Sequence, residues 1–254
     1  MRSWLAAALL SVLSISSSGC GLFWRAPVPM TAIDYPSGQA APAKCLVVFL
    51  PGMGDDAAKF EANGFVDEFR RRGLSADLVA ANATIGYYSR GIFADRLAAD
   101  VIGPRRARYE QLWLIGPSMG GFGTLFYSRT HVDDVTGVLA LAPYLGDKSL
   151  IAEVYDAGGL RTWIGPPRVD KMNDDNYQRE MLRWLQAVTG GHERAPILDV
   201  GFGDTDKLGH ADELLAAQLS PEHVYRTHGG HTWGPWRNLL AQYLDRGPLG
   251  RSCR

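Results

Sequence analysis

Three short stretches of this chain carry residue types that do nucleophilic chemistry when brought together. They are Gly116-Pro117-Ser118-Met119-Gly120, Gly203-Asp204-Thr205-Asp206 and His228-Gly229-Gly230-His231. A serine hydroxyl is a weak nucleophile at neutral pH. It needs a histidine to take its proton, a carboxylate to hold that histidine in the right tautomer, and N–H donors for the oxyanion formed at the attacked carbonyl. In a strand–turn–helix unit, Gly116 and Gly120 leave room for a turn too tight for flanking side chains, and Ser118 is thrust into the open. In a doubly wound sheet, the three stretches can meet only at the carboxyl ends of strands, where loops converge over one crevice.

The elements needed for that meeting are legible. Gln111 to Ile115 is an apolar run that ends at the serine turn, and Phe122 to Tyr127 continues as a helix. Cys45 to Leu50 reads as a strand buried on both faces and is broken by Pro51-Gly52-Met53-Gly54. Asp55 and Asp56 are expected to cap the next helix, which places Phe60, Phe65, Val66 and Phe69 on one side and stops at Arg72-Gly73. Strands are expected at Asp77–Ala81, Val135–Leu141, Pro196–Val200 and His223–Thr227, with helices at Ile92–Val101 and Ala211–Leu219 and a last one marked by Trp236, Leu239, Leu240 and Tyr243. This alternation predicts an α/β fold, a mostly parallel doubly wound sheet of about six to eight strands. Residues 144–196 interrupt the rhythm with Gly158-Gly159, Pro166-Pro167 and one amphipathic helix through Tyr177, Met181, Leu185 and Val188. They are expected to form a helical cap over one edge, with Trp163 and Trp184 as candidate substrate contacts.

Residues 45–245 resemble an α/β-hydrolase of the serine esterase type. The resemblance rests on Gly-Pro-Ser-Met-Gly-Gly at 116–121, the strand-end Gly-x-x-Asp at 203–206 and Gly-Gly-His-x-Trp-x-x-Trp at 229–236. It implies Ser118 as nucleophile, His231 as general base and then acid, and Asp206 as orienting carboxylate, with Asp204 as the alternative acid. His228 is the weaker histidine. The main-chain N–H groups of Met53 and Met119 would bind the oxyanion; Pro51 stands where the family often has histidine, which matters little to a main-chain donor. Trp233, at the start of the last helix, joins the candidate substrate contacts. The implied activity is cleavage of a small-molecule carboxylic ester through an acyl-serine, with no cofactor and no metal. The same triad would serve an acyltransferase or a thioesterase. A reading of another class is a non-catalytic envelope lipoprotein that uses the fold as a binding module.

Composition narrows the partners. The 254 residues carry 26 basic and 27 acidic side chains, and no Lys/Arg run stands out, which argues against nucleic acid. Gly-Lys-Ser/Thr never follows the glycine-rich turn, so a phosphate-binding P-loop is excluded. Met1-Arg2 followed by the apolar run Trp4–Ile15 is too short to span a membrane and fits a signal-peptide core. The run ends in Ser17-Ser18-Gly19-Cys20, which resembles the lipobox of bacterial lipoproteins, with Cys20 as the lipidated residue. The organisation expected is a signal peptide at 1–19, a lipidated tether at 20–44 with at most an edge strand near Met30–Tyr35, the hydrolase domain at 45–246 and a tail at 247–254. Gly21 resembles the outer-membrane sorting default, so the expected place is the bacterial envelope, anchored by lipid and facing the periplasm. Cys45 and Cys253 can bridge in an exported protein, but a buried free Cys45 and a frayed tail is the favoured expectation.

Overall fold

Seven strands form one sheet in the computed structural model, which describes residues 25–254. They are β1 (Ala32–Tyr35), β2 (Cys45–Phe49), β3 (Ala76–Ala81), β4 (Gln111–Pro117), β5 (Gly137–Leu141), β6 (Ile197–Gly203) and β7 (Val224–Thr227). Their order is β1-β3-β2-β4-β5-β6-β7, with β1 antiparallel to β3 and every other pair parallel. The expected signal peptide and lipidated Cys20 lie outside the described residues.

The apolar runs explain the middle of this sheet. Every residue of β2 and β5 is buried, as strands covered by helices on both faces must be, and β4 is buried after Gln111. β1, at the edge, is exposed at Ile33 and Asp34 and buried only at Tyr35. The winding reverses between β2 and β4: β3 lies on one side and β5, β6 and β7 on the other. In such a sheet the crevice opens beyond the carboxyl ends of the strands at that switch point. The loop after β2 carries Met53 and the turn after β4 carries Ser118, so the topology alone puts the corner expected to bind the oxyanion beside the serine.

Helix Met119–Thr130 follows Ser118 and is buried along most of its length. The cap contributes helices Lys148–Asp156 and Tyr177–Thr189. Glu180 of the second, 1% exposed, takes hydrogen bonds from Arg129 of the serine's helix, from Arg183 and from the Val169 N–H. A buried carboxylate with all its neighbours satisfied fastens the cap to the helix that follows Ser118.

Several expectations need correction. The stretch expected as a tether carries its edge strand, β1, paired with β3, but it is docked from Arg25 onward, with Ala26 and Met30 buried. The tail is not frayed. Residues Pro248–Ser252 are helical, and Cys253 is bonded to Cys45, closing the chain across 208 residues. Leu249 and Cys253 are fully buried, so apolar packing holds the segment in place for the bond. The helix expected at Ile92–Val101 extends as Phe93–Arg106, with a π turn at Leu97–Ile102. Asp56 accepts the Ala58 N–H, but the helix begins only at Ala58. Trp163 and Trp184 are 3% and 2% exposed, and the Trp163 indole N–H is spent on Glu153, so both are packing residues of the cap and not substrate contacts.

Candidate active site

Ser118 sits at φ 55° and ψ −119°, a left-handed conformation that side chains other than glycine rarely adopt. The neighbours force it. The Ser118 N–H donates to the Leu141 carbonyl at 2.8 Å, and the Ser118 carbonyl accepts from Phe122 and Tyr144, both at 3.1 Å. A Cβ at Gly120 would lie 1.9 Å from the Leu50 carbonyl oxygen, and one at Gly116 would lie 2.4 Å from the Gly120 main chain. The turn therefore closes only with glycine on both sides, which is the physical content of the Gly-x-Ser-x-Gly spacing. One other non-glycine residue, Ala142, has positive φ among the described residues. It follows β5 and brings Pro143-Tyr144 back onto the serine turn, so both strained positions lie at one edge of the sheet.

The candidate acid and base lie after β6 and β7. Asp206 follows β6 on a turn in which its Oδ1 accepts the Leu208 N–H at 2.8 Å. His231 Nδ1 faces both Asp206 oxygens, at 2.9 and 3.1 Å. The side chains are 11% and 0% exposed. Trp236 stands edge-on to the imidazole at 4.9 Å between ring centres. Asp204 is drawn elsewhere: it accepts the Gly229 N–H and meets His228 Nδ1 at 3.0 Å, out in solvent. The two carboxylates left open by sequence are thus separated by geometry, Asp206 to His231 and Asp204 to His228.

A run of contacts brings the histidine loop back across the sheet toward Ser118. A Cβ on Gly203 would lie 1.9 Å from the Gly229 carbonyl oxygen, so the loop after β7 lies directly over the end of β6. Trp233 packs edge-on against Phe60 and Phe65, each at 5.3 Å, and its indole sits against the half-buried Asp55 carboxyl. Asp55 lies within 3.7 Å, and Ser118 Cβ within 3.6 Å, of a Cβ placed on Gly52. Met53, the next residue, is exposed above this corner. No hydrogen bond joins Ser118 to His231 among the described residues; such bonds commonly tighten only when substrate binds.

Sequence reading missed two residues here. Asn82, after β3, ties the corner down: its Oδ1 accepts the Ala57 N–H and its Nδ2 donates to Thr31. Asp212, on helix Gly209–Ala216, is fully buried with no hydrogen-bond partner for either carboxyl oxygen. Burial, then the nearby Asp206 charge, raises its carboxyl well above the ordinary range. An acid at a helix position otherwise facing the core is the one signal that could have marked it. Among the described residues no group of three or more His, Cys, Asp or Glu side chains forms a metal site.

A family model named Esterase matches residues 93–246, more than half of the chain, from the helix beyond β3 to the end of helix Trp233–Arg246. The chain belongs to the Esterase family. This esterase is a carboxylic ester hydrolase of the serine type. No curated protein matches it in sequence. Its fold is shared with solved structures at low identity. S-formylglutathione hydrolase of Staphylococcus aureus superposes with a TM-score of 0.58 at 14% identity, covering 84% of this chain and 96% of that one. Est1E of Butyrivibrio proteoclasticus, solved with ferulic acid bound, gives 0.54 at 12% identity, covering 85% and 95%. S-formylglutathione hydrolase of Agrobacterium tumefaciens gives 0.55 at 16% identity, covering 85% and 88%.

Proposed function

We propose that this esterase works through Ser118, His231 and Asp206. His231 Nε2 takes the proton from Ser118 Oγ as the hydroxyl attacks the ester carbonyl. The N–H groups of Met53 and Met119 bind the oxygen as it gains charge. Asp206 holds the resulting imidazolium, which gives its proton to the departing alkoxide and leaves an acyl-serine. Water, deprotonated by the same imidazole, releases the acid. The observation that carries this reading is the buried His231–Asp206 pair, with Asp204 diverted to His228. Trp233, half-exposed between the histidine loop and Asp55, is the remaining candidate substrate contact.

A fluorophosphonate probe should label the protein at Ser118 and fail on Ser118→Ala; an unlabelled wild type contradicts the reading. A panel of p-nitrophenyl esters of increasing acyl length then reports pocket length. A thioester is the second substrate class to assay, because two of the similar structures are S-formylglutathione hydrolases.

We also propose that Cys20 carries lipid and anchors the enzyme in the bacterial envelope, at the outer membrane and facing the periplasm. The apolar run Trp4–Ile15 and the small residues before Cys20 support it. Mass spectrometry of the N-terminal peptide should find the lipid, and an unmodified or uncleaved N-terminus contradicts it.

A further inference from the structure

We propose that the carboxyl edge of the sheet faces the bilayer and that the substrates are esters held in or at that membrane. The inference rests on the proposed anchor at Cys20 and asks where a chain anchored there enters the domain. It enters beside the active site. Because β1 runs antiparallel to β3, with Ala32 opposite Ala81, the start of β1 lies at the carboxyl end of β3. The segment before β1 is fixed there. Thr84 Oγ1 donates to the Arg25 carbonyl at 2.7 Å, Tyr87 donates its hydroxyl to the Pro27 carbonyl at 2.5 Å, and the Met30 N–H donates to Asp100.

Two short connections lead from this entry to the catalytic groups. Asn82 holds Thr31 on one side and the Ala57 N–H, at the foot of the Met53 corner, on the other. Tyr88, next to Tyr87, places its hydroxyl where a Cβ on Gly123 of the serine's helix would lie. Five residue steps separate Cys20 from Arg25. Whatever their conformation, five steps reach no more than about 17 Å at about 3.4 Å per residue. A lipid on Cys20 therefore keeps this edge of the sheet, and not the opposite one, against the membrane.

The surface agrees. The large apolar side chains most exposed among the described residues are Ile164, Met53 and Val28, and the last two lie on this edge, at 68% and 59%. Arg25 and Arg90 are exposed nearby, with Asp56 as an opposing charge. Apolar side chains flanked by arginine suit a headgroup region better than open water.

The test lengthens the tether without touching the domain. The lipidated wild type, and a variant with about twenty Gly/Ser residues inserted between Trp24 and Arg25, are reconstituted in phosphatidylethanolamine/phosphatidylglycerol vesicles. Each is given a long-chain ester dissolved in the bilayer and, separately, a water-soluble short-chain ester. Effective concentration falls roughly as the −3/2 power of tether length, so going from five residues to about twenty-five should slow bilayer-ester hydrolysis about tenfold and leave the soluble ester unchanged. Val28→Ser should slow the bilayer ester several-fold, again without effect on the soluble one. Unchanged bilayer rates in both variants overturn the proposal, as does a Cys20 without lipid. A wild type that hydrolyses neither ester overturns the catalytic reading instead, so the two failures are told apart.

Discussion

His231–Asp206 and His228–Asp204 hang from the same two strand ends, those of β7 and β6, and their closest Nδ1–oxygen separations are 2.9 and 3.0 Å. Their surroundings differ. The first pair is 11% and 0% exposed, the second 90% and 57%. In water the attraction within such a pair is screened and the side chains keep their freedom, so little orientation survives. Buried, with the Leu208 N–H fixing one oxygen, Asp206 can hold a single imidazole tautomer. The exposed pair has a scaffolding task. The Gly229 N–H, and after it His228, hold the Asp204 carboxyl below its ordinary range, and this ties down the loop that delivers His231. Distance alone does not distinguish the two pairs, and burial does.

The largest expected effect breaks the buried pair. His231→Ala should lower kcat on the order of a million-fold, and Asp206→Asn about ten-thousand-fold through loss of the tautomer, measured on a p-nitrophenyl ester. A comparable loss in Asp204→Asn would invert the comparison. Next comes the scaffold common to both pairs. Gly203→Ala puts a methyl group 1.9 Å from the Gly229 carbonyl oxygen, so the loop after β7 must move. Its urea midpoint should fall by the equivalent of about 1–3 kcal/mol, as for overpacking elsewhere, with kcat falling alongside. An unchanged midpoint would mean that the loop rests on its own contacts.

Two buried acids then test what burial does to a carboxyl that is poorly paired. Asp199 meets His223 Nδ1 at 3.0 Å but leaves Oδ2 without a partner, and burial pushes its carboxyl up to about 6. A carboxyl raised in the folded state favours folding while protonated and loses that advantage as pH rises. Asp199→Asn should therefore gain stability on the wild type between about pH 4 and 6 and hold the gain above that, at most about 3 kcal/mol for a shift of roughly two units. Asp212 is raised in the same sense, so Asp212→Asn should also gain on the wild type as pH rises, without a plateau where Asp199→Asn levels off. Denaturant titrations across pH decide both cases, and a pH-independent difference contradicts them. The smallest effect is at the exposed pair: His228→Ala should stay within about threefold of wild-type kcat.

How far the sequence reached depends on what each feature needed. The buried strands β2, β4 and β5 were legible because a strand covered on both faces must be apolar throughout. Ser118 was legible because its turn tolerates only glycine on either side, and His231 because the Gly-Gly-His pattern sits at a strand end. The choice between Asp206 and Asp204 rested on spacing from Gly203, while the physical distinction, burial against solvent, is a tertiary property. Trp163 and Trp184 misled for the same reason: the pattern marks them as apolar and is silent on whether the cap turns them inward. Cys253 looked like a frayed end because short helix Pro248–Ser252 is held by packing from helix Trp233–Arg246, not by its own propensity. Asp212 lay hidden in an ordinary helical pattern, although burying a carboxyl there without a partner is costly.

The central claim is that Ser118 is activated through His231 by Asp206 and not by Asp204. The rate of fluorophosphonate labelling at Ser118, followed by mass spectrometry in wild type, Asp204→Asn and Asp206→Asn, tests it directly. Wild type and Asp204→Asn should label at the same rate within about twofold, and Asp206→Asn should label slower by about three to four orders of magnitude. Equal rates in wild type and Asp206→Asn, or a collapse in Asp204→Asn alone, would contradict it.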